Sequence, residues 1–553
     1  MEDTPTQSVN NSNPGKTEAT PTLSEELQVE SVGENKVEHG LRFFLAFFCV
    51  LFTTFLVNLD LTVTASALPS IAADLHATSN EAYWCSAGYI LAQAVAQPVF
   101  GGFSEMFGRK TVLQLSLVLF LVASILCSRA QNINWLIGSR VVQGIGGGGM
   151  TTLGVMVVAD LTSLHERPKY MSLLGVAHAL GNLGILMGAG IVQNTTWRWM
   201  FYINIPVCTL LLVVLQFSLK LTLQFQNFRE KFENLDLLGT TVLTGALTAL
   251  LYGLLSGGVS RPWSSGSVIA PLVVGGVGIL AFYGIELLVA AKSRRPLIPP
   301  DILKYHTSMV VMLSQFAAGY GVTALLYFLT IYFLGSARYS TVRTGVILLP
   351  TALMTPVFGI VCGVLIKATR QFRLIMLLGC AAATAGLGSF ISLSPSSSTA
   401  LQVGLQVILA FGIGFVYVSG NITLQATLPD HLHSPGLNLM TFFRTMGQCF
   451  GIAVSAAVFQ SQFKEKVNDH LRNGTLDPSL VITSKDAESA IASILHSFPP
   501  TTLDVYALIY RDALRAVWYV AMALAAVATI SSVFTQHGSL DRGLTTSQRL
   551  KQG

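Results

Sequence analysis

The 553-residue sequence predicts an all-α membrane protein of about fourteen transmembrane helices, on three observations. Only 11% of the residues are charged, whereas soluble domains carry about 25%, so much of the usual solvated surface is missing. Hydrophobic residues make up 52% of the chain and gather into runs of roughly 20, each able to cross a hydrocarbon layer about 30 Å thick. Most basic residues sit in the short loops between those runs, where charge sets membrane orientation.

Along the chain, residues 1–41 are expected to form a disordered cytoplasmic tail. The stretch 1–40 holds Glu2, Asp3, Glu18, Glu25, Glu26, Glu30, Glu34 and Glu38 against Lys16 and Lys36, and has too little apolar area to offset the entropy of ordering. It lacks the basic start and short apolar core of a cleavable signal, so the first span is expected to direct insertion. Apolar runs near 42–66, 82–103, 111–127, 135–158, 170–192 and 199–217 read as spans one to six. Runs near 237–257 and 268–290 read as spans seven and eight. Those near 308–334, 345–366, 374–393, 401–423, 437–460 and 514–534 complete the set. Residues 461–513 are expected as a long external loop and 535–553 as a cytoplasmic tail.

One alternate set of loops holds Arg109, Lys110, Arg167, Lys169, Lys220, Arg229, Lys231, Lys292, Arg294, Arg295, Lys304, Lys367, Arg370 and Arg373. The other short loops hold only Arg129, Arg198, Arg261, Arg338 and Arg343, which puts the first set and both termini in the cytoplasm. The net charge of +5 is modest and gives no nucleic-acid footprint. The seven cysteines fall in or beside apolar runs without a CxxC pair, which suggests neither a metal site nor a disulfide framework. Two sequons, Asn194-Thr195-Thr196 and Asn473-Gly474-Thr475, fall in external loops and are candidate glycosylation sites.

Gly15-Lys16-Thr17 resembles the end of a phosphate-binding loop, but position 10 is Asn where the first glycine belongs. Gly144-Ile145-Gly146-Gly147-Gly148-Gly149 spells GxGxxG inside an apolar helix with no preceding strand, so close helix packing explains it better. Without a nucleotide site or other cofactor, energy must come from an ion gradient or from the solute's own gradient. Nor is a metal-ligand cluster or nucleophile–base pair evident, so no enzyme is expected.

Charges inside spans are the informative residues, because each costs roughly 2.5–3.5 kcal/mol at mid-membrane on insertion scales. Asp60 and Arg140 lie five or six residues from the outer ends of spans one and four. Both then sit roughly 8–9 Å deep and can pair, as a static lock or as a proton-sensitive pair. Arg444 lies in the inner half of span thirteen with Gln448 a turn later, open to structural pairing or solute contact. His178 in span five can titrate near neutral pH or serve as a satisfied interhelical histidine. Glu286, near a helix end, is expected to snorkel. Polar and aromatic stripes at helical spacing (Tyr89, Gln93 and Gln97; Tyr320, Thr323 and Tyr327; Tyr417 and Asn421) can line a water-filled path or join helices by hydrogen bonds.

The loop Gly101-Gly102-Phe103-Ser104-Glu105-Met106-Phe107-Gly108-Arg109-Lys110 resembles the GxLaDrxGRK signature of the major facilitator superfamily, with Glu105 where Asp is usual. Leu59-Asp60-Leu61-Thr62 with Ala67-Leu68-Pro69, Arg140-Val141-Val142-Gln143-Gly144, and Trp197-Arg198-Trp199-Met200-Phe201-Tyr202-Ile203-Asn204-Ile205-Pro206 resemble its fourteen-span drug:proton antiporter branch. With Arg444 to Gly451 the similarity covers residues 42–535, and it is strongest to fungal exporters of toxins, secondary metabolites and drugs. One departure is in span five. The branch's GPxxGG ending is lost, since Ala189 follows Gly188 and Val192-Gln193 replace the glycine pair.

The resemblance implies a six-helix bundle over 42–217, two inserted helices over 237–290 and a second bundle over 308–534, with solute bound between bundles near mid-membrane. Glu105, Gly108 and Arg109 would pair with Asp160 and Arg167 to hold a cytoplasmic gate shut. The reading is proton-coupled efflux of hydrophobic small molecules, with Asp60 and Arg140 proton-responsive. Tyr89, Gln93, Gln97, His178, Tyr320, Tyr327, Tyr417, Asn421 and Arg444 would lie along the solute path. The expected partners are a small-molecule solute, protons and the lipid bilayer, for a monomer in the cell membrane or a vacuolar membrane. The alternative is an importer of a chelated metal or nutrient with the same architecture.

Overall fold

The computed structural model describes residues 40–77, 79–162, 166–218, 237–258, 261–291, 298–483, 487 and 498–536. The expected disordered tail up to residue 39, the Gly15-Lys16-Thr17 triplet, residues 537–553 and the loop bases Lys220, Arg229, Lys231, Lys292, Arg294 and Arg295 lie outside the described residues.

Every long regular element among the described residues is a helix. In order these are α1 (Leu41–Asp74), α2 (Ser79–Phe107), α3 (Arg109–Ser128), α4 (Ile133–Leu161), α5 (Arg167–Gly181), α6 (Gly184–Asn194) and α7 (Trp199–Ser218). Then follow α8 (Leu237–Ser256), α9 (Gly266–Ala291), α10 (His306–Ala324), α11 (Thr341–Thr369), α12 (Phe372–Ser389), α13 (Thr399–Thr427), α14 (His433–Arg472) and α15 (Pro500–Ser532). Several begin where a short polar side chain can accept from an unpaired first-turn amide. Asn132 accepts from the Trp135 amide at 2.8 Å, and Ser340 and Ser398 do the same for α11 and α13.

Twelve helices among the described residues are long and apolar enough to cross a membrane. The rest of the expected fourteen spans are α2, whose polar residues Gln93, Gln97 and Glu105 dilute its hydropathy, and the fifth span, broken at 182–183 into α5 and α6. The break exists although the proline of the family motif is gone. Two side chains of α1 hold it open: Asn58 Nδ2 donates to the His178 carbonyl at 2.6 Å and to Asn182 Oδ1 at 2.8 Å, and Thr62 Oγ1 donates to the Gly181 carbonyl at 2.7 Å. Carbonyls freed from a helix inside lipid must find donors in the protein, and here they do.

In one bundle α4 packs against α2 and α3, and α3 against α7. In the other α10 packs on α14, α13 on α11 and α12, and α15 on α12 and α14. The bundles meet where α5 lies along α11 and α2 along α14, while α8 and α9 pair with each other and α8 touches α2 and α14. Burial ranks the helices: 78% of the α4 span is buried against 17% of α9, so α4 is central and α9 faces lipid. The glycines of α4 make that centrality possible. A Cβ on Gly146 would stand 2.7 Å from the Ser116 carbonyl on α3, and one on Gly148 would stand 2.5 Å from the Gln93 carbonyl on α2.

Two expectations need correction. Residues 461–513 are not all loop: α14 runs on to Arg472 and α15 starts at Pro500. The extension is amphipathic, with Lys466 bridging to Asp469 at 3.3 Å while Phe463 and Val467 bury beside Tyr506 and Tyr510, so its charges ended the apolar run without ending the helix. Glu286 does not snorkel either. It is buried, and its carboxylate accepts from the Ile298 amide at 3.4 Å where the chain folds back towards α10.

Candidate functional site

Asp60 on α1 and Arg140 on α4 form an ion pair deep in the first bundle, both almost fully buried. Their surroundings are built to hold charge. Gln143, one turn beyond Arg140, donates from Nε2 to Asp60 Oδ1 at 2.9 Å and accepts from Arg140 Nη1 at 2.7 Å. Asn204 on α7 donates to the same Asp60 oxygen at 2.7 Å, and Ser124 on α3 accepts from Gln143 at 3.0 Å. The guanidinium lies 4.3 Å from the centre of the Tyr89 ring. Side chains of five helices therefore meet in the cluster around this carboxylate.

At the Arg109 end of the bundles a second cluster joins them. Gly108 takes φ of +89°, a left-handed geometry that suits glycine, and turns the chain from α2 directly into α3. Arg109 then donates from Nε to Asp160 Oδ2 at 3.0 Å, binds Ser104, and reaches across to Ser434 on α14. Glu105 stands at the 4.0 Å limit of an ion pair with it. Arg167 does not join this pair. It caps α4 instead, donating to the carbonyls of Ala159 at 2.7 Å and Thr162 at 3.2 Å, and bonds Gln425 on α13 of the other bundle. Ser172 Oγ adds a bridge to the Gly359 carbonyl at 3.0 Å.

Between the bundles lies a cavity of about 40 Å³. That is room for only a few waters. Its walls are Gly175, His178 and Asn182 from the first bundle's broken span, and mainly apolar groups of α10, α11 and α13 from the other, among them Leu325, Pro356, Ile413 and Tyr417. Leu325 and Leu326 belong to a π-helical turn, Leu325–Leu329, where α10 widens beside the cavity. Of the residues expected along a solute path, His178 and Tyr417 line this space, and the Arg444 guanidinium stands 5.1 Å over the Tyr417 ring. Asn421 is buried one turn from Tyr417 and donates to its carbonyl at 2.8 Å.

Four of the others pack between helices. Tyr89 covers Arg140, Gln93 meets Thr151 at 3.3 Å, and Tyr320 meets Ser455 at 2.9 Å. Gln97 bonds Thr445 across the bundle interface at 2.9 Å, and Tyr327 stands beside Phe328 outside the cavity wall. Gln143, Asn204, Asn58 and Thr62 escaped selection as site residues although three of them stand in quoted motifs. Their signal was present: an amide or hydroxyl inside an apolar run, which for Gln143, Asn58 and Thr62 lies one turn or two residues from a buried charge. Asn194 and Asn473 are exposed at the carboxyl ends of α6 and α14.

The sequence model of the Major Facilitator Superfamily matches residues 50–455. The chain is 32% identical over 518 residues to the MFS-type efflux pump LUC4 of a Fusarium species, covering 93% of this chain and 91% of that one. It is 33% identical over 494 residues to the Acurin A biosynthesis cluster MFS-type transporter of Aspergillus aculeatus, covering 88% of each. Among solved structures, the human organic anion transporter MFSD10 superposes with a TM-score of 0.55 over 88% of this chain and 99% of that one at 13% identity. That likeness speaks to the fold alone.

Proposed function

The chain belongs to the Major Facilitator Superfamily, and from that premise we propose that it exports hydrophobic small molecules in exchange for protons. Its curated relatives are transporters and efflux pumps, not enzymes. In this reading the solute occupies an enlarged form of the cavity between the bundles, alternately exposed as they rock. The apolar lining suits amphipathic toxins, secondary metabolites and drugs, because an unpaired hydroxyl in hydrocarbon is costly.

The observation that carries the reading is Asp60 itself, a carboxylate committed to three donors inside lipid-embedded protein. Intramembrane carboxylates of this kind serve proton relays in pumps and transporters. Protonation removes the attraction to Arg140 and weakens the bonds from Gln143 and Asn204. Asn58 and Thr62 flank Asp60 on α1 and hold the broken fifth span, whose Gly175, His178 and Asn182 line the cavity. A shift of α1 on protonation thus reaches the solute site through the hydrogen bonds of these two side chains. Arg109 with Glu105, Gly108 and Asp160, seconded by Arg167, would close the cytoplasmic end. The chain would act as a monomer in the cell membrane, or a vacuolar one, with both termini cytoplasmic and Asn194 and Asn473 on the glycosylated side.

The test is flux in proteoliposomes under an imposed pH gradient. Asp60→Asn should abolish pH-driven flux while leaving downhill exchange of labelled solute. Full pH-driven flux in that variant removes Asp60 from the mechanism, and proton-driven accumulation in the opposite sense replaces export with uptake.

A further inference from the structure

Arg444 is the interior cation that the export mechanism leaves unused. Among the described residues inside the spans, Arg140 is matched by Asp60, Arg109 by Asp160 and Glu105, and Arg167 by carbonyls and Gln425. Arg444 has no carboxylate within ion-pair distance among the described residues, and its guanidinium faces the Tyr417 ring. The residue is only partly buried, in the inner half of α14. An arginine in lipid-embedded protein normally finds an anion or lines water.

Its neighbours share the cavity. Tyr417 lines it and carries a buried hydroxyl with no hydrogen-bond partner, and His178, also on the wall, lies within electrostatic range of Arg444. One turn along α13, the side-chain amide oxygen of Asn421 is likewise buried without a donor. A guanidinium standing over the ring of a cavity-lining tyrosine, with that tyrosine's unused hydroxyl, makes a donor site for a negatively charged group. Arginine suits this role because its planar fork can hold a carboxylate or sulfonate with two hydrogen bonds. The rest of the wall is mainly hydrocarbon (Val322, Leu325, Leu326, Pro356, Ile413), with Asn182, Thr351 and Thr355 as its further polar side chains.

We infer that the solute is an amphipathic organic anion whose acidic group is held by Arg444 and the Tyr417 hydroxyl. The inference rests on the export reading and narrows its substrate class. Empty, the site leaves a cation uncompensated next to the path, so an anionic solute gains the full benefit of the pairing while a cationic one meets repulsion. This selects by charge where the apolar wall cannot.

The experiment uses the full-length protein in proteoliposomes and three dansyl probes with the same ten-carbon chain, ending in sulfonate, trimethylammonium or hydroxyl. Sulfonate and trimethylammonium keep their charge at every working pH, so passive crossing of a neutral form does not intrude. The wild type should move the sulfonate at least tenfold faster than the ammonium probe. Arg444→Gln should bring that ratio below twofold, and Arg444→Lys should keep most of it. If the glutamine variant fails to fold, the lysine variant and thermal stabilisation of detergent-solubilised wild type by the sulfonate, not the ammonium, carry the test. Preferential export of the ammonium or hydroxyl probe, or an unchanged ratio in Arg444→Gln, overturns the anion assignment and leaves export standing. No pH-driven flux of any probe overturns the export reading, and this inference with it.

Discussion

At the residue scale, the Asp60–Arg140 pair sets the strictest rule in the molecule. Two buried charges that satisfy each other are tolerated; one alone is not. Removing a single partner of such a pair typically costs about 3–5 kcal/mol, whereas neutralising both can cost little. Arg140→Gln should therefore lower the thermal midpoint of the purified protein far more than Asp60→Asn with Arg140→Gln together. The double variant should fold yet carry no pH-driven flux, and equal instability of the single and double variants would contradict the pairing as an energetic unit. A second carboxylate, Asp74, works outside the spans. Its bond from the Trp197 indole at 2.8 Å, seconded by Arg198 at 2.9 Å, holds its pKa below the usual carboxylate value. A depressed carboxylate stabilises the fold above its unfolded pKa, near 3.9, and loses that contribution as pH falls through the folded value. Tryptophan fluorescence should accordingly change only below about pH 4, and Asp74→Asn should flatten that acid transition.

At the scale of elements, the glycine face of α4 and the break in the fifth span are linked devices for close approach. Ala at position 148 would put a methyl carbon 2.5 Å from a backbone oxygen of α2, which a rotamer change cannot relieve. Overpacking of this sort costs roughly 1–3 kcal/mol, so Gly148→Ala should reduce the yield of folded protein, while an alanine at Gly276 on the lipid-facing α9, with open space beside it, should not. The break depends on smaller forces. An interhelical hydrogen bond in a membrane averages about 0.6 kcal/mol, so Thr62→Val should shift the thermal midpoint only slightly. Its larger effect should be on pH-driven turnover, because it cuts one of the two links from α1 to the cavity-lining α5. A turnover number unchanged in both Thr62→Val and Asn58→Val would dismiss the link.

For the whole molecule, the two bundles are fastened at one end. Arg109 with Ser434, Arg167 with Gln425, Ser172 with Gly359, and Asn438 with the Pro98 carbonyl at 3.3 Å all tie them at the Arg109 end. Towards the other end Leu186 comes close to Gly345. The space between the bundles is small as they stand, and transport requires them to part at one end. A hydrogen bond to a charged group contributes about 1.5–3 kcal/mol, so Arg167→Ala with Ser434→Ala should raise the population open at the Arg109 end by tenfold or more. Spin labels on the starts of α3 and α14 would read this as a longer distance component. An unaltered distance distribution would mean that the clasp follows closure and does not hold it.

Much of this was written in the order of residues. The spans were legible because hydrocarbon demands long apolar runs, and that demand acts locally, whatever a helix packs against. The pairing of Asp60 with Arg140 was legible from depth alone, since a charge in lipid has few ways to be satisfied. The sequence also carried the glycine turn at 108 and the glycine face of α4. Tertiary structure alone decided which polar residues meet the cavity. Tyr89, Gln93 and Tyr320 share the helical spacing of a pore stripe yet turn into helix contacts, because the rotation of each helix about its axis is set by neighbours far away in sequence. It also decided that Arg167 serves α4 and α13 and not Asp160, that donors on α1 replace a missing proline, and that Arg444 stands over Tyr417 with no acid opposite among the described residues. Periodicity fixes which side chains share a face; only packing fixes what that face looks at.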